Sequence, residues 1–591
     1  MLAILSLAAL SASPNVLLVM TDDQGWGDLS VHGNAHLETP TLDSIARDGA
    51  RFEWFYVSPV CAPTRASLLT GRMHLRTGVH GVTRGQENMR PDEVTIAELF
   101  SQAGYATGAF GKWHNGAQYP ADPVGQGFDR FVGFCAGHWN TYFDTTVRLD
   151  VRGEGSRPLP TDGYLPDVLT GHAVEFMRTQ HDAGKPFLCY VPYQTPHWPA
   201  QVPDEFWDRF AGNPDLDVKE KAAYAMVANI DRNVGRLLET LDDLGAAEDT
   251  IVVFLTDNGA NSDRYDGGMR DQKGSVHEGG SRVPCFVRWP GRIDPGTVVE
   301  TVAWHCDLLP TLSALCGVST DGTKPLDGLD LSSHLLSSVE PVDVPDRHLV
   351  TARGAGRKAA VRSSRYRLVK HRMDRPWQLY DIQNDPHETT DISGENADVV
   401  GQLAASWTRL AAEVEFDALT PLPIEVGHEE RRAVELQGHE AILRGASGQE
   451  GDAAIGDGIR YHGPNGWAND WIEGWTDPHA EAFWNLRVVT PGSYEAVLKY
   501  AQHPADVGST IRATAGDAST AATLDAALDA APHDVPDRFQ RSEVYERDWL
   551  MKSLGTLDLR EGEQRLTLQL PAVAGLEGPH VKGVILRGPL D

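Results

Sequence analysis

The sequence predicts an α/β protein: a mixed, mostly parallel sheet sandwiched by helices, followed by a C-terminal all-β sandwich domain. Three observations predict it. Short, continuous apolar runs alternate with amphipathic helical segments through roughly the first two-thirds of the chain. Beyond about residue 420 the apolar period shortens to two. Finally, 591 residues are too many for one core, so length alone asks for at least two domains.

Taken in order, residues 1–13 (MLAILSLAALSAS) form a short apolar run ending in small residues. It reads as the remnant of a secretory signal peptide and predicts a secreted or periplasmic protein, although no Lys or Arg precedes it. The run is too short to cross a bilayer and no other long apolar run exists, so no membrane partner is expected. NVLLVM (15–20) has the unbroken apolar character of a buried parallel strand. Thr39-Pro40 starts a helix, with Thr39 as N-cap and Pro40 at its first position. A helix over 95–103 precedes an apolar segment at 105–110, and one around 167–182 precedes the strand FLCYV (187–191). A long amphipathic helix over about 218–244 carries Asp231, Val234, Leu237, Leu238 and Leu241 in helical register. The strand IVVFLT (251–256), the strand PCFVRW (284–289) and a helix near 306–316 follow. These elements define a first domain over 14–416, with a small C-terminal subdomain from about 340. DALTPLPIEV (417–426), with two prolines, reads as a linker. WNLRVV, SYEAVLKYA, TLDLREG, QRLTLQL and VKGVILR then mark a small antiparallel β-sandwich over 427–591.

Composition excludes several functions. Hydrophobic residues at 41% and charged residues at 23% describe a folded globular chain. With 83 Asp+Glu against 52 Lys+Arg, the net charge of −31 argues against nucleic acid and against an anionic membrane surface. Taken alone, it also disfavours an anionic substrate. Six Cys do not make a disulfide framework; Cys189 and Cys285 lie in apolar runs and read as core thiols, and Cys135, Cys306 and Cys316 show no metal spacing.

The chemistry gathers where strands end. Asp22-Asp23 directly follows the first strand, and Asp257-Asn258-Gly259 directly follows another. The carboxyl ends of strands are where open α/β sheets place their sites. Three Asp and an Asn offer only oxygen donors, a set suited to Ca²⁺ or Mg²⁺ rather than zinc. In CAPTRASLLTGR (61–72), Cys61 precedes Pro63 at a helix start, where free N–H groups and the dipole favour an anion. Arg65 adds a fork for a tetrahedral oxyanion.

CAPTRASLLTGR resembles the sulfatase signature, C-x-P-x-R followed by a Leu-rich helix, with Thr64 where Ser is commoner. Further segments resemble that family in order: NVLLVMTDDQGWGDL, GKWHNG (111–116), PYQTPHWP (192–199), TDNGA (256–260), KGSVHEGGSRVPCFVRWPG (273–291) and QLYDIQNDPHETTDI (378–392). The resemblance covers about residues 14–415 and leaves out the C-terminal domain. It implies an alkaline-phosphatase-like sulfatase fold and a sulfuric ester hydrolase. It implies that Asp22, Asp23, Asp257 and Asn258 hold a divalent cation, usually Ca²⁺, with Mg²⁺ as the alternative. It further implies that a maturation enzyme converts Cys61 to formylglycine, whose hydrate is the nucleophile and reaches the cation with one oxygen. Arg65 and Lys112 would hold and polarise that group, and His114 would be the base that breaks down the sulfated intermediate. His197 and Lys273 would contact the sulfate and help the leaving alcohol depart. Glu278-Gly279-Gly280 and Leu379-Tyr380-Asp381 read as structural.

The expected substrate is a sulfated carbohydrate or a small organic sulfate. Arg76, His80, Arg84, His138, Trp139, Asn140, Arg264 and Arg270 lie on loops that could wall it. In the C-terminal domain Trp467, Trp471, Trp475 and Trp484 alternate with polar residues, as in a carbohydrate-stacking face or, equally, a sandwich core. Two rivals remain: a phosphonate monoester or phosphodiester hydrolase on the same fold, and a catalytically silent sugar-binding protein. The intact Cys61, both acidic pairs and both His–Lys sets speak against the second rival.

Overall fold

Alternation along single strands shows how the main sheet is buried. In the strand Asn15–Asp22, Val16, Leu18 and Met20 enter one hydrophobic cluster, and Leu17 and Val19 the opposite one. The strand Thr250–Thr256 repeats this, with Ile251, Val253 and Leu255 on one side and Val252 and Phe254 on the other. Successive strand residues face opposite ways, so an unbroken apolar run suits a sheet covered on both faces. The computed structural model describes residues 13–354, 358–463, 466–575 and 577–590; the expected signal-peptide run, Ser13 apart, lies outside them.

The main sheet has ten strands. Its centre is five parallel strands in the order Thr250–Thr256, Asn15–Asp22, Phe187–Pro196, Ala106–Lys112, Arg130–Phe134. Antiparallel partners extend both sides, Cys285–Arg288 beside the first of these and Thr146–Val151 beside the last. Helices Cys61–Thr70, Ile96–Gln102 and Leu308–Cys316 cover one face; Pro40–Arg47, Leu165–Asp182 and Val218–Asp243 cover the other. Thr95 caps its helix in a reciprocal box with Glu98. Thr39 does not cap as expected. Its hydroxyl donates to Asp43 Oδ1 at 2.8 Å, and the first-turn N–H groups of Thr41 and Leu42 go instead to the buried Asp231 carboxylate, at 3.3 and 2.8 Å. A carboxylate at the positive helix end explains why a charged residue occupies a buried position of Val218–Asp243.

A four-stranded antiparallel sheet, Leu349–Arg353 to Gln378–Asp381, packs on helix Ala397–Glu413. Beyond it, two six-stranded sheets share one core. That sandwich is not wholly antiparallel. Ile424–Val426, expected within the linker, is a strand pairing parallel with Glu481–Val488, its Ile-Glu-Val alternation having been masked by two nearby prolines. Trp475 and Trp484 fill the sandwich core and are not free to stack on a sugar. Trp471 is buried too, with His462 stacked on it at 3.9 Å. Among the described residues no helix is long and apolar enough to cross a membrane.

The sandwich docks on loops of the first domain. Arg541 Nη1 and Nη2 donate to the Asn140 backbone oxygen and Oδ1, both at 2.6 Å. Phe539 packs edge-on against Trp198, and Arg538 N donates to Ala200 O. Gln118 Nε2 donates to Glu440 Oε2 at 2.8 Å. Burial and the nearby Glu87 push Glu440 up to about 8, and burial pushes Glu87 up to about 7. Both carboxyls therefore bind their protons more tightly folded than unfolded, where the value is 4.5. Stability is expected to fall as pH rises from about 5 to about 8, where only the unfolded state has released these protons, and to level off above. Glu440→Gln should flatten its share of that slope, read from the chemical-unfolding midpoint across the same range. An identical slope in the variant would remove Glu440 as its cause.

Candidate active site

Two strand ends lie side by side. Thr21 pairs with Thr256 in the parallel register, so the residues that follow emerge together. Asp22 closes its strand and Asp23 takes a left-handed φ of 65°, which lets adjacent carboxylates serve one pocket. Asp257 N donates to Thr21 O at 3.0 Å, Asp23 N donates to Asp257 Oδ1 at 3.1 Å, and Asn258 Nδ2 donates to Asp23 Oδ1 at 2.8 Å. At Gly259 a Cβ would stand 1.8 Å from the Gly279 carbonyl oxygen. Bare backbone is needed there for the Glu278-Gly279-Gly280 turn to pack against the Asp257–Asn258 loop, in keeping with a structural role for that turn.

Cys61 is the first residue of helix Cys61–Thr70, which is buried throughout and ends at Gly71 in the left-handed region. Arg65, one turn on, directs Nε and Nη2 to Asp257 Oδ2 at 3.1 and 2.8 Å and Nη1 to the Lys112 backbone oxygen at 2.6 Å. Lys112 Nζ bonds Asp22 Oδ2, and Lys273 Nζ bonds Asp23 Oδ1 at 2.5 Å. Three carboxylates (Asp22, Asp23, Asp257) thus meet three cations (Arg65, Lys112, Lys273), and the pocket is charge-balanced. His197 Nε2 lies 3.7 Å from Asp23 Oδ2, while its Nδ1 donates to Trp198 O at 2.6 Å. His114 Nε2 donates to Val82 O at 2.9 Å; its Nδ1 is buried without a partner. Nine of the ten predicted site residues therefore meet at one locus, Cys61 and Arg65 from the helix and Asp22, Asp23, Lys112, His197, Asp257, Asn258 and Lys273 from the strand ends and following loops; His114 bonds Val82 instead and feels the charges of Lys112, Arg65 and Asp22.

The environment sets each charge. Burial alone would raise Asp23, but Lys273 and His197 outweigh it and hold the carboxyl below the usual range. Burial and the neighbouring Asp22 raise Asp257, with Arg65 and Lys112 opposing; both of its oxygens accept hydrogen bonds, so it is held as a carboxylate. Burial raises the Cys61 thiol, with Lys112 and Lys273 opposing. Burial keeps His114 well below its ordinary value, with Lys112 adding to the effect, so the imidazole is neutral.

A hard cation fits these groups. Asp22 Oδ1 and Asn258 Oδ1 are buried and have no hydrogen-bond partner, a costly state that coordination would relieve. Ligand atoms of Asp22, Cys61 and Asp257 lie within 4.8 Å of one another, as do those of Asp22, Asp23 and His197. The oxygen-rich donor set suits Ca²⁺ or Mg²⁺.

Two neighbours were not among the predicted catalytic residues. Asn115 Nδ2 donates to Ala62 O at 3.0 Å and steadies the first turn of the Cys61 helix; its place directly after His114 was the available signal. His138, weighed only as a wall residue, is buried with its Nε2 unpartnered, and its value is pressed well down by burial, then by His197 and by Arg541 of the sandwich. The wall arginines are engaged elsewhere. Arg264 is buried on Asp28 and the Asp23 backbone oxygen, Arg270 bonds Tyr380 and the Glu388 backbone oxygen, Arg76 pairs with Asp327 and Glu413, and Arg84 with Asp452.

A family model described as Sulfatase matches residues 14–318, and one described as N-sulphoglucosamine sulphohydrolase, C-terminal, matches residues 268–413. N-acetylgalactosamine-6-sulfatase of Canis lupus familiaris is 33% identical over 390 residues, which span 60% of this chain and 72% of that one. Arylsulfatase A of Homo sapiens is 35% identical over 368 residues, 57% of this chain and 71% of its own. The solved structure of Ps i-CgsB in complex with k-i-k-neocarrahexaose superposes with a TM-score of 0.63 at 28% identity, covering 70% of this chain and 95% of that chain. The sandwich lies outside both family-model spans.

Proposed function

This chain belongs to the sulfatase family of sulfuric ester hydrolases, and from that premise we propose that it removes sulfate from a sulfated saccharide, using Cys61 converted to formylglycine and a divalent cation. Ca²⁺ is the preferred ion and Mg²⁺ the alternative, held by Asp22, Asp23, Asp257, Asn258 and residue 61. The observation that carries this reading is the meeting of three carboxylates, an orphaned amide oxygen, Cys61 and three fixed cations at one pair of strand ends. The saccharide is supported by relatives named for N-acetylgalactosamine-6-sulfate chemistry and by a neighbour solved with neocarrahexaose.

A bound dication would supply the positive charge that polarises a sulfate oxygen. A hydrated aldehyde at residue 61 would supply an oxygen nucleophile whose second hydroxyl allows the aldehyde to re-form. The remaining work falls to side chains in place. Lys273 neutralises the sulfate oxygens, Lys112 polarises the group at residue 61, and Arg65, locked on Asp257 and the Lys112 carbonyl, keeps the helix of residue 61 in register with the acidic cluster. The Val82 carbonyl only accepts, so His114 carries its hydrogen on Nε2 and presents a neutral, buried and unpartnered Nδ1 lone pair as base. Trp198 O holds the His197 hydrogen on Nδ1 in the same way, leaving Nε2, beside Asp23, to take up the proton that the nucleophilic hydroxyl loses and pass it to the departing oxygen. Because Cys61 is only 3% exposed, its conversion belongs before the helix is buried, by a maturation enzyme acting on the unfolded or exported chain.

Peptide mass spectrometry over residues 52–65, after expression with a maturation enzyme, should show the thiol-to-aldehyde mass loss. Cys61→Ala should lower turnover by roughly 10³–10⁶-fold, as expected for loss of a nucleophile. An unmodified Cys61 in fully active protein would sink the mechanism. Sulfate monoesters should be hydrolysed faster than phosphate monoesters, phosphodiesters or phosphonates. If phosphodiesters were turned over far faster than every sulfate, the rival hydrolase would replace this reading.

A further inference from the structure

A second cluster with ligand chemistry lies beneath the loop that carries Lys273. His277 immediately precedes the short helix Glu278–Ser281, and its ring is fully buried. Its Nδ1 donates to Glu388 Oε1 at 2.8 Å, while Glu388 Oε2 accepts from Glu278 N at 2.8 Å. A carboxylate on Nδ1 fixes the hydrogen there and leaves the Nε2 lone pair free. That Nε2 faces His371 Nε2 at 2.6 Å. One ligand atom each from Asp271, His277 and His371 lie within 4.8 Å of one another. Asp271 is exposed, His371 half-buried and His277 buried, so an ion has a path inward from solvent.

We propose that Asp271, His277 and His371 form a second metal site, separate from the catalytic cluster, for a zinc-class transition-metal dication. Two imidazole nitrogens and one carboxylate make a borderline donor set that favours Zn²⁺ over the oxygen-seeking Ca²⁺ or Mg²⁺, with a fourth position for water. Glu388 stands where metal-bound histidines keep a carboxylate on the other ring nitrogen, fixing tautomer and orientation. Without an ion the two rings share one hydrogen bond. Tetrahedral bonds would require their nitrogens to stand about 3.3 Å apart, a small opening that His371, directly after the strand Tyr366–Lys370, can supply from its half-buried position. The cations whose charge acts on His371 are hydrogen-bonded elsewhere: Arg270 to the Tyr380 hydroxyl and Glu388 backbone oxygen, Lys358 to the Gly274 backbone oxygen. Asp271 and Glu388 balance a dication. Because Lys273 lies between Asp271 and His277, the ion clamps the loop that delivers Lys273 to Asp23 onto the small four-stranded sheet.

The full chain, stripped with chelator and reloaded with excess Ca²⁺, is titrated with Zn²⁺ and separately with Co²⁺, beside His371→Ala and Asp271→Asn. Asn tolerates the left-handed φ of 61° at position 271, so the second variant removes a charge without straining the backbone. The wild type should bind about one Zn²⁺ more than either variant and show a tetrahedral Co²⁺ absorption band that both lack. Any Zn²⁺ entering the catalytic cluster is common to all three proteins and cancels. Glu388→Gln should weaken the Zn²⁺ affinity by about 10–100-fold, the usual cost of losing a carboxylate behind a ligating histidine. Equal Zn²⁺ stoichiometry and indistinguishable Co²⁺ spectra in wild type, His371→Ala and Asp271→Asn would overturn the proposal.

Discussion

The fork that Arg65 makes on Asp257 is the contact on which the site depends. Both side chains are completely removed from water, which costs several kcal/mol per ion before anything is returned. The return comes from geometry: two nitrogens on one carboxylate oxygen, a third on a backbone carbonyl, and Asp22 within 3.4 Å. Deleting either partner would strand a buried charge, at about 3–5 kcal/mol. The guanidinium therefore joins three segments distant in sequence: the helix of residue 61, the end of the strand Ala106–Lys112 and the loop after Thr250–Thr256. Charge compensation thus joins the nucleophile position to the acidic cluster, on top of the apolar packing of the helix against the sheet.

The same compensation resolves an apparent conflict between composition and substrate. A chain of net charge −31 looks hostile to an anion. Yet the pocket carries three fixed cations against three carboxylates, and a dication would leave it with a surplus of two positive charges facing one sulfate ester. Surface charges are screened beyond about 8–10 Å at ordinary ionic strength, whereas the buried groups are not. What the sulfate meets is the pocket, and the acidic exterior bears on solubility.

Much of this was legible in the residues because it is local. Apolar runs with two-sided burial announce parallel strands, and Asp22-Asp23, Asp257-Asn258 and CAPTRASLLTGR announce chemistry at their ends. What was not legible depends on partners far along the chain. Thr39 looks like a cap until Asp231, from another helix, takes the N–H groups first. Arg264 and Arg270 look like substrate contacts until Asp28 and Tyr380 claim them. Trp475 and Trp484 look like a stacking face because spacing cannot tell a core indole from an exposed one. Ile424–Val426 hides behind prolines, and His277 pairs with Glu388 across 111 residues. Long-range closure decides each of these cases.

The seam at Asn140 carries a consequence in time. The loop over 135–141 lies between His114 and His197, yet its bidentate partner, Arg541, follows it by 401 residues. At a synthesis rate of about 5–20 residues per second, Asn140 waits roughly 20–80 s for that partner. The first domain is thus made while the Asn140 loop still lacks the partner that the later-made sandwich supplies. An appended domain that contributes none of the assigned catalytic residues still fixes the Asn140 loop, and its Arg541 charge reaches His138.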